Sequence, residues 1–302
     1  MKILLAVDFS PGRNAVAGEI AARPWPAGTT VEVLSVVEPF EIWAVPELIA
    51  QVTRRTKEMV QQMADLLTSA GLAATPLVLT GDPKTVIVDH AEQSGADFVV
   101  VGSHGATGLA RLLFGSIARA VLRHVHCSVE VVRSNSGQEP VRRAMKILLA
   151  TDGSQYSNAA AHSIAERPWP DGTEVRILSV VEPRVSLFEA AFEPPLLDVE
   201  TVEQFRVNAM QHAQEAIASA EEILASAGVK TAESISVLLD GPKHVILDEA
   251  QQWGADLIVA GSQGRSGAGR FWLGSVSESV AMHAGCSVEV IRPPKTEGST
   301  QA

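Results

Sequence analysis

Two stretches of the chain place glycine at the same spacing, GSHGATGLARLLFGS at residues 102–116 and GSQGRSGAGRFWLGS at residues 261–275. Both fit G-x2-G-x9-G-S, through Gly102, Gly105, Gly115 and Ser116 in one copy and Gly261, Gly264, Gly274 and Ser275 in the other. Glycine tolerates positive φ and leaves no Cβ between the backbone and a close ligand. Successive N–H groups can then converge on an anion as a nest. A Gly-Ser pair at the start of a helix adds unpaired amides and the favourable end of the helix dipole. The serine hydroxyl can cap that helix or donate to a phosphate oxygen. The chemistry is that of an oligophosphate cradle made from backbone. No Lys precedes the closing serine, so the loop is not a P-loop. No G-x-G-x-x-G follows the first apolar run, which counts against a dinucleotide. Arg111 and Arg270 hold equivalent loop positions, and either reach the phosphates or face solvent.

Residues suited to catalysis are fewer. His104 is the obvious candidate base in the first loop, and its counterpart is Gln263, so chemistry resting on it would occur in one loop only. His124 and His126 sit one residue apart, and no Cys/His cluster has the spacing of a zinc site. Cys127 and Cys286 are 159 positions apart, which is no disulfide framework and fits a reducing compartment.

The elements that must position these loops are written twice. MKILLAVDFS at residue 1 returns as MKILLATDGS at 145, RPWP at 23 returns at 167, and LSVVEP at 34 returns at 178, all 144 apart. GADFVVVGS at 95 returns as GADLIVAGS at 254, now 159 apart, so the second copy has gained 15 residues. RVSLFEAAFEPPLLDVE after Pro183 is the expected place, since its Pro-Pro pair suits an exposed loop. A period of this length means tandem domains. We expect domains at 1–134 and 145–293, joined by a polar linker at 135–144, with a flexible tail at 294–302.

Within each copy, short apolar runs without polar alternation alternate with helical segments, the pattern of a parallel α/β sheet covered on both faces. The first-copy runs are KILLAV, TTVEVLSVV, ATPLVL, DFVVV and SVEVVR, with Ser10-Pro11 and Asp82-Pro83 as helix starts. Asp8 and Asp152 follow the first strand of each copy, while Gly102 and Gly261 close the fourth. These are the carboxyl ends where doubly wound sheets bind ligands.

Composition narrows the function further. The 302 residues are 46% hydrophobic and 20% charged, enough for two modest cores. A formal net charge of −11 works against a broad footprint on nucleic acid or an anionic membrane. MKILLAVD is not an export signal, because Asp8 interrupts it and the run recurs as MKILLATD at 145–152. A cytoplasmic protein without membrane spans is the expectation.

Both halves resemble universal stress protein domains of the ATP-binding branch, over nearly the whole chain. The resemblance rests on Asp8 with Ser10, Asp152 with Ser154, LSVVEP, GDPK at 81, DGPK at 240 and, most specifically, the glycine loop. It implies two tandem doubly wound parallel five-stranded sheets, Rossmann-like and adenine nucleotide alpha hydrolase-like, related by a pseudo-two-fold. It implies one ATP per domain, with Mg2+ carried by the triphosphate. Asp8 and Asp152 would contact the adenosine, Val36 and Val180 would line the adenine, and Gly102 and Gly261 would lie against the ribose. Gly105, Gly115, Ser116 and Ile117, with Gly264, Gly274, Ser275 and Val276, would hold the phosphates. Phe9 departs from the family's glycine after the first-strand Asp, which Gly153 keeps.

The expected function is a nucleotide-dependent stress-response or signalling module, at most slowly hydrolytic, with a protein partner that the sequence does not name. The alternative is a slow ATPase or phosphotransferase in which turnover is the function, and a third is a structural protein that nucleotide merely stabilises. A fifth strand ending each sheet leaves an edge that proteins normally cover. Residues 127–133 and 286–292 are therefore expected to pair, making the chain an intramolecular pseudo-dimer. A homodimer of chains is left open. RPWP is expected to fix a turn, with Trp25 and Trp169 as packing anchors.

Overall fold

The computed structural model describes residues 1–10, 12–38, 46–103, 114–133, 143–181, 199–232, 234–238, 241–265 and 273–293. Gly105, His104, Arg111, Arg270, most of the linker, the added segment after Pro183 and the tail lie outside the described residues.

The first half runs β1 (Lys2–Ala6), α1 (Arg13–Ala22), β2 (Thr30–Val37), α2 (Pro46–Ser69), β3 (Ala73–Thr80), α3 (Pro83–Gln93), β4 (Phe98–Gly102), α4 (Ser116–His124) and β5 (Ser128–Val132). The second half repeats it with β6 (Lys146–Ala150), α5 (Gln155–Ala165), β7 (Glu174–Val181), α6 (Val199–Ser226), β8 (Ile235–Leu238), α7 (Pro242–Trp253), β9 (Leu257–Gly261), α8 (Ser275–His283) and β10 (Ser287–Ile291). Ser69 and Ser226 end equivalent helices 157 apart. So 13 of the 15 extra residues precede that point and two follow it, rather than all lying in the segment directly after Pro183.

Each half has five parallel strands, but the expected two sheets are one. The strands form a single ten-stranded sheet in the order β3-β2-β1-β4-β5-β10-β9-β6-β7-β8. The join is antiparallel, with Val131 opposite Val288, Glu130 opposite Glu289 and Val129 opposite Val290. The physical reason is the edge itself: two strands that would each expose unpaired amides satisfy one another.

Every residue of KILLA and its repeat is apolar beyond the lysine because helices cover both faces. Ile3, Leu5, Ile147 and Leu149 face a core shared with residues of α1, α2, α5 and α6. Leu4 and Leu148 face the opposite core, with residues of α3, α4, α7 and α8. Both cores run through the two halves without a break at the join.

The join holds buried charge that RPWP did not disclose. Glu130 and Glu289 face each other at 0% and 1% exposure, and the arginines of the two RPWP turns reach them. Arg23 lies 2.6 Å from Glu130 and 2.9 Å from Glu289. Arg167 donates to both oxygens of Glu289, at 2.7 and 2.9 Å. Its guanidinium also stacks 4.8 Å from the centre of the Trp25 ring. Burial pushes the Glu130 carboxyl up to about 8, with Arg23 opposing the rise and Glu289 adding to it. Trp25 and Trp169 do anchor the turns: each indole donates to a helix carbonyl at 2.8 Å, Ile20 and Ile164 respectively.

Among the described residues no helix is long and apolar enough to cross a membrane.

Candidate nucleotide site

Strand order reverses between β1 and β4 in one half and between β6 and β9 in the other. A cavity opens at the carboxyl ends of each pair, about 420 Å3 in the first half and about 520 Å3 in the second. Both lie within the roughly 300–1,000 Å3 typical of small-molecule sites.

The first cavity brings together Asp8, Val36, Gly102, Gly115, Ser116 and Ile117. The second gathers Asp152, Val180, Gly261, Gly264, Gly274, Ser275 and Val276. Every sequence-predicted site residue that is described therefore lines its cavity, and Gly105 alone lies outside the described residues.

The two aspartates sit identically. Asp8 Oδ1 accepts the Ser10 N–H at 2.9 Å, and Asp152 Oδ1 accepts the Ser154 N–H at 3.0 Å. Asp152 Oδ2 also accepts the Arg265 N–H at 2.8 Å and so holds the start of the second glycine loop. The helix starts beside the aspartates differ. Ser154 caps α5 by accepting from the Ser157 N–H, whereas Ser10 is not the N-cap of α1, which begins after Gly12 without a side-chain cap. Arg13 takes the place of Ser157 and donates to the carbonyls of Phe9 and Ser10 instead.

The loops close on themselves at their roots. Gly115 N–H donates to Ser103 O at 2.9 Å, and Gly274 N–H donates to Ser262 O at 2.7 Å. Gly115 and Gly274 are the N-caps of α4 and α8, and neither helix receives a side-chain cap. The expected capping by Ser116 and Ser275 is not what the helices use, since these serines are the first helical residues. Among the described residues no side chain takes the first-turn amides, which border the cavity and favour an anion there.

In the second half, Gly261, Gly264 and Gly274 are explained by close approach rather than by positive φ. Gly115 and Gly274 have φ of −62° and −65°. A Cβ on Gly261 would lie 2.5 Å from the Tyr156 carbonyl carbon and 2.7 Å from the Ser157 nitrogen. One on Gly264 would lie 2.7 Å from Asp152 Oδ2, and one on Gly274 would lie 3.3 Å from Ser262 O. At the second loop the bare backbone is packed too closely to admit side chains at these positions, and the residues present fit a polyphosphate.

Several wall residues are not among those that the sequence assigns to the site. Arg13, Glu38, Asp82, Pro83 and Lys84 line the first cavity. His212, Pro242 and Arg265 line the second. The recurring GDPK and DGPK segments were the available signal for the proline and lysine positions. Arg13 and His212 had none, because their counterparts in the other half differ in type. Asp82 accepts the Thr85 N–H and hydroxyl, and these bonds hold its carboxyl below the usual range.

The universal stress protein family model matches residues 1–133 and 144–292. A universal stress protein of Mycobacterium tuberculosis (strain ATCC 25618 / H37Rv) is 29% identical over 262 residues, covering 84% of this chain and 80% of that protein. The crystal structure of a universal stress protein from Archaeoglobus fulgidus DSM 4304 has the same fold, with a TM-score of 0.64 at 21% identity and 96% of each chain covered. A protein of unknown function from Pseudomonas aeruginosa PAO1 shares that fold with a TM-score of 0.59 at 17% identity, over 97% of this chain and 92% of that one. With both halves matched, this chain belongs to the universal stress protein family as a tandem pair of its domains.

Proposed function

We propose that the chain is a nucleotide-dependent stress-response module of the cytoplasm that binds one ATP in each half. The observation that carries this reading is the pair of equivalent cavities, each floored by an uncapped helix start and by glycine backbone. Asp8 and Asp152 stand at the adenosine end, and Val36 and Val180 form the adenine wall. Gly102 and Gly261 leave room for the ribose. Gly105, Gly115, Ser116 and Ile117, with Gly264, Gly274, Ser275 and Val276, receive the phosphates. Bound ATP brings Mg2+ with it and supplies a triphosphate whose charge the helix starts and loop amides offset.

Binding, rather than turnover, is the output. Both carboxylate oxygens of Asp152 accept backbone N–H groups, an arrangement that fixes a loop instead of readying a base. ATP would favour the conformation it binds better and so alter the surface that a partner protein meets.

The test is to load the purified chain with MgATP, remove free ligand, denature it and identify what is released. About two adenine nucleotides per chain are expected, falling to about one in Gly115→Val or Gly264→Val. Phosphate release should stay at the level of those variants; release far above it would replace this reading with a slow ATPase or phosphotransferase.

A further inference from the structure

Hydrogen bonds connect the surroundings of the two cavities across the join, through residues that line neither cavity. At the root of the first glycine loop, Ser103 N–H donates to the carbonyl of Val132 at 3.0 Å. The next residue, Arg133, crosses into the second half. Its Nη2 donates to the carbonyls of Ala281 and Met282, at 3.1 and 2.6 Å. Those carbonyls lie in the last turn of α8, the helix whose first turn floors the second cavity. The same guanidinium sits 5.9 Å from the centre of the Phe114 ring, immediately before Gly115 of the first cavity.

The reciprocal connection is also present. At the root of the second loop, Ser262 N–H donates to the carbonyl of Ile291 at 2.8 Å. Arg292 follows, and its guanidinium donates to the carbonyls of Leu122, at 2.8 Å, and Cys127, at 3.1 Å. Leu122 belongs to the last turn of α4, which floors the first cavity. Each site's loop root is therefore one residue from a cation that holds the far end of the other site's helix. A cation there also complements the helix dipole. Arg123 of α4 and Glu278 of α8 tie the two helices directly, Nε to Oε1 at 2.6 Å.

We propose that the two nucleotide sites are positively coupled through Arg133 and Arg292. This rests on the nucleotide reading above and adds a regulation to it. A ligand that orders one loop root fixes the adjoining strand end, hence the arginine and the partner helix, so the second ligand meets a site whose ordering is already done. Coupling of this kind is typically about 5- to 150-fold in affinity.

Calorimetric titration of the full chain with MgATP tests it. Gly264→Val and Gly115→Val each leave one intact site and give its affinity with the other closed. In the native chain, the product of the two stepwise association constants should exceed the product of those single-site constants by about fivefold or more. In an Arg133→Met/Arg292→Met chain the excess should vanish, with each single-site constant kept within about twofold. Should that chain not fold, Arg133→Lys/Arg292→Lys keeps the charge and removes the guanidinium fork. Hydrogen exchange gives a second reading: in Gly264→Val, MgATP at the first site should slow exchange of amides in the last turn of α8. Two filled sites with no excess, or an excess that survives both double variants, would overturn the coupling while leaving nucleotide binding intact. No binding at either site would overturn the nucleotide reading and the coupling together.

Discussion

At the scale of single residues, the glycine loops separate what spacing reveals from what packing reveals. The pattern G-x2-G-x9-G-S was legible because it occurs twice at equivalent places. Its steric cause was not, since contacts of Gly261 with Tyr156 and Ser157 join segments about a hundred positions apart in sequence. The difference between neighbouring glycines yields a prediction. A Cβ on Gly261 meets backbone, which no rotamer change relieves, so Gly261→Ala should cost about 1–3 kcal/mol of stability, measured by denaturant unfolding. A Cβ on Gly264 meets the Asp152 carboxylate, a side chain that can shift by loosening its bond to the Arg265 N–H, so Gly264→Ala should cost less stability than Gly261→Ala and weaken nucleotide binding at the second site. Equal losses of stability in the two variants would contradict this distinction.

At the scale of elements, the join between β5 and β10 carries the halves. The pairing was readable from the open edge that a fifth strand leaves, but its charges were not. RPWP read as a turn because Pro and Trp dominate it locally, while the partners of Arg23 and Arg167 sit on strands up to 266 positions away. Val131→Pro removes a backbone donor and adds a clash in the middle of the pairing, and should destabilise the chain by about 3 kcal/mol or more. Unchanged stability and compactness by scattering would count against the join.

The Glu130 carboxyl gives the join a pH signature. Its ordinary value is 4.5 and burial raises it to about 8, so the folded chain keeps a proton that the unfolded chain has released. The contribution to stability is therefore full below about 4.5 and is lost as pH rises through about 8. Glu130→Gln cannot release that proton. The native chain should lose stability relative to Glu130→Gln between about pH 5 and pH 8, as followed by denaturant midpoints; a constant difference over that window would contradict the assignment.

At the scale of the whole molecule, duplication produced two domains in sequence and one sheet in space. Repeats at 144 and 159 made the domain count legible, and apolar runs made the strand and helix order legible. Continuity of the cores was not legible, because residues such as Leu5 and Leu149 read the same whether their cores are shared or separate. Shared cores predict one cooperative transition, with tryptophan fluorescence and far-ultraviolet circular dichroism coinciding. Residues 1–133 made alone would expose β5, all of whose residues are buried in the full chain, and should associate or fail to fold. A monomeric, cooperatively folding half would show that the join is dispensable.

The most direct test of the nucleotide sites is thermal unfolding of ligand-free chain with and without millimolar MgATP, alongside identification of nucleotide released on denaturation. Binding at about 100 times the dissociation constant should stabilise the fold by about 2.7 kcal/mol per site. The account predicts an upward shift in Tm that falls by half or more on closing either site and is abolished by closing both, with adenine nucleotide recovered from the loaded chain. A chain that yields no nucleotide and melts at the same temperature in MgATP would contradict it.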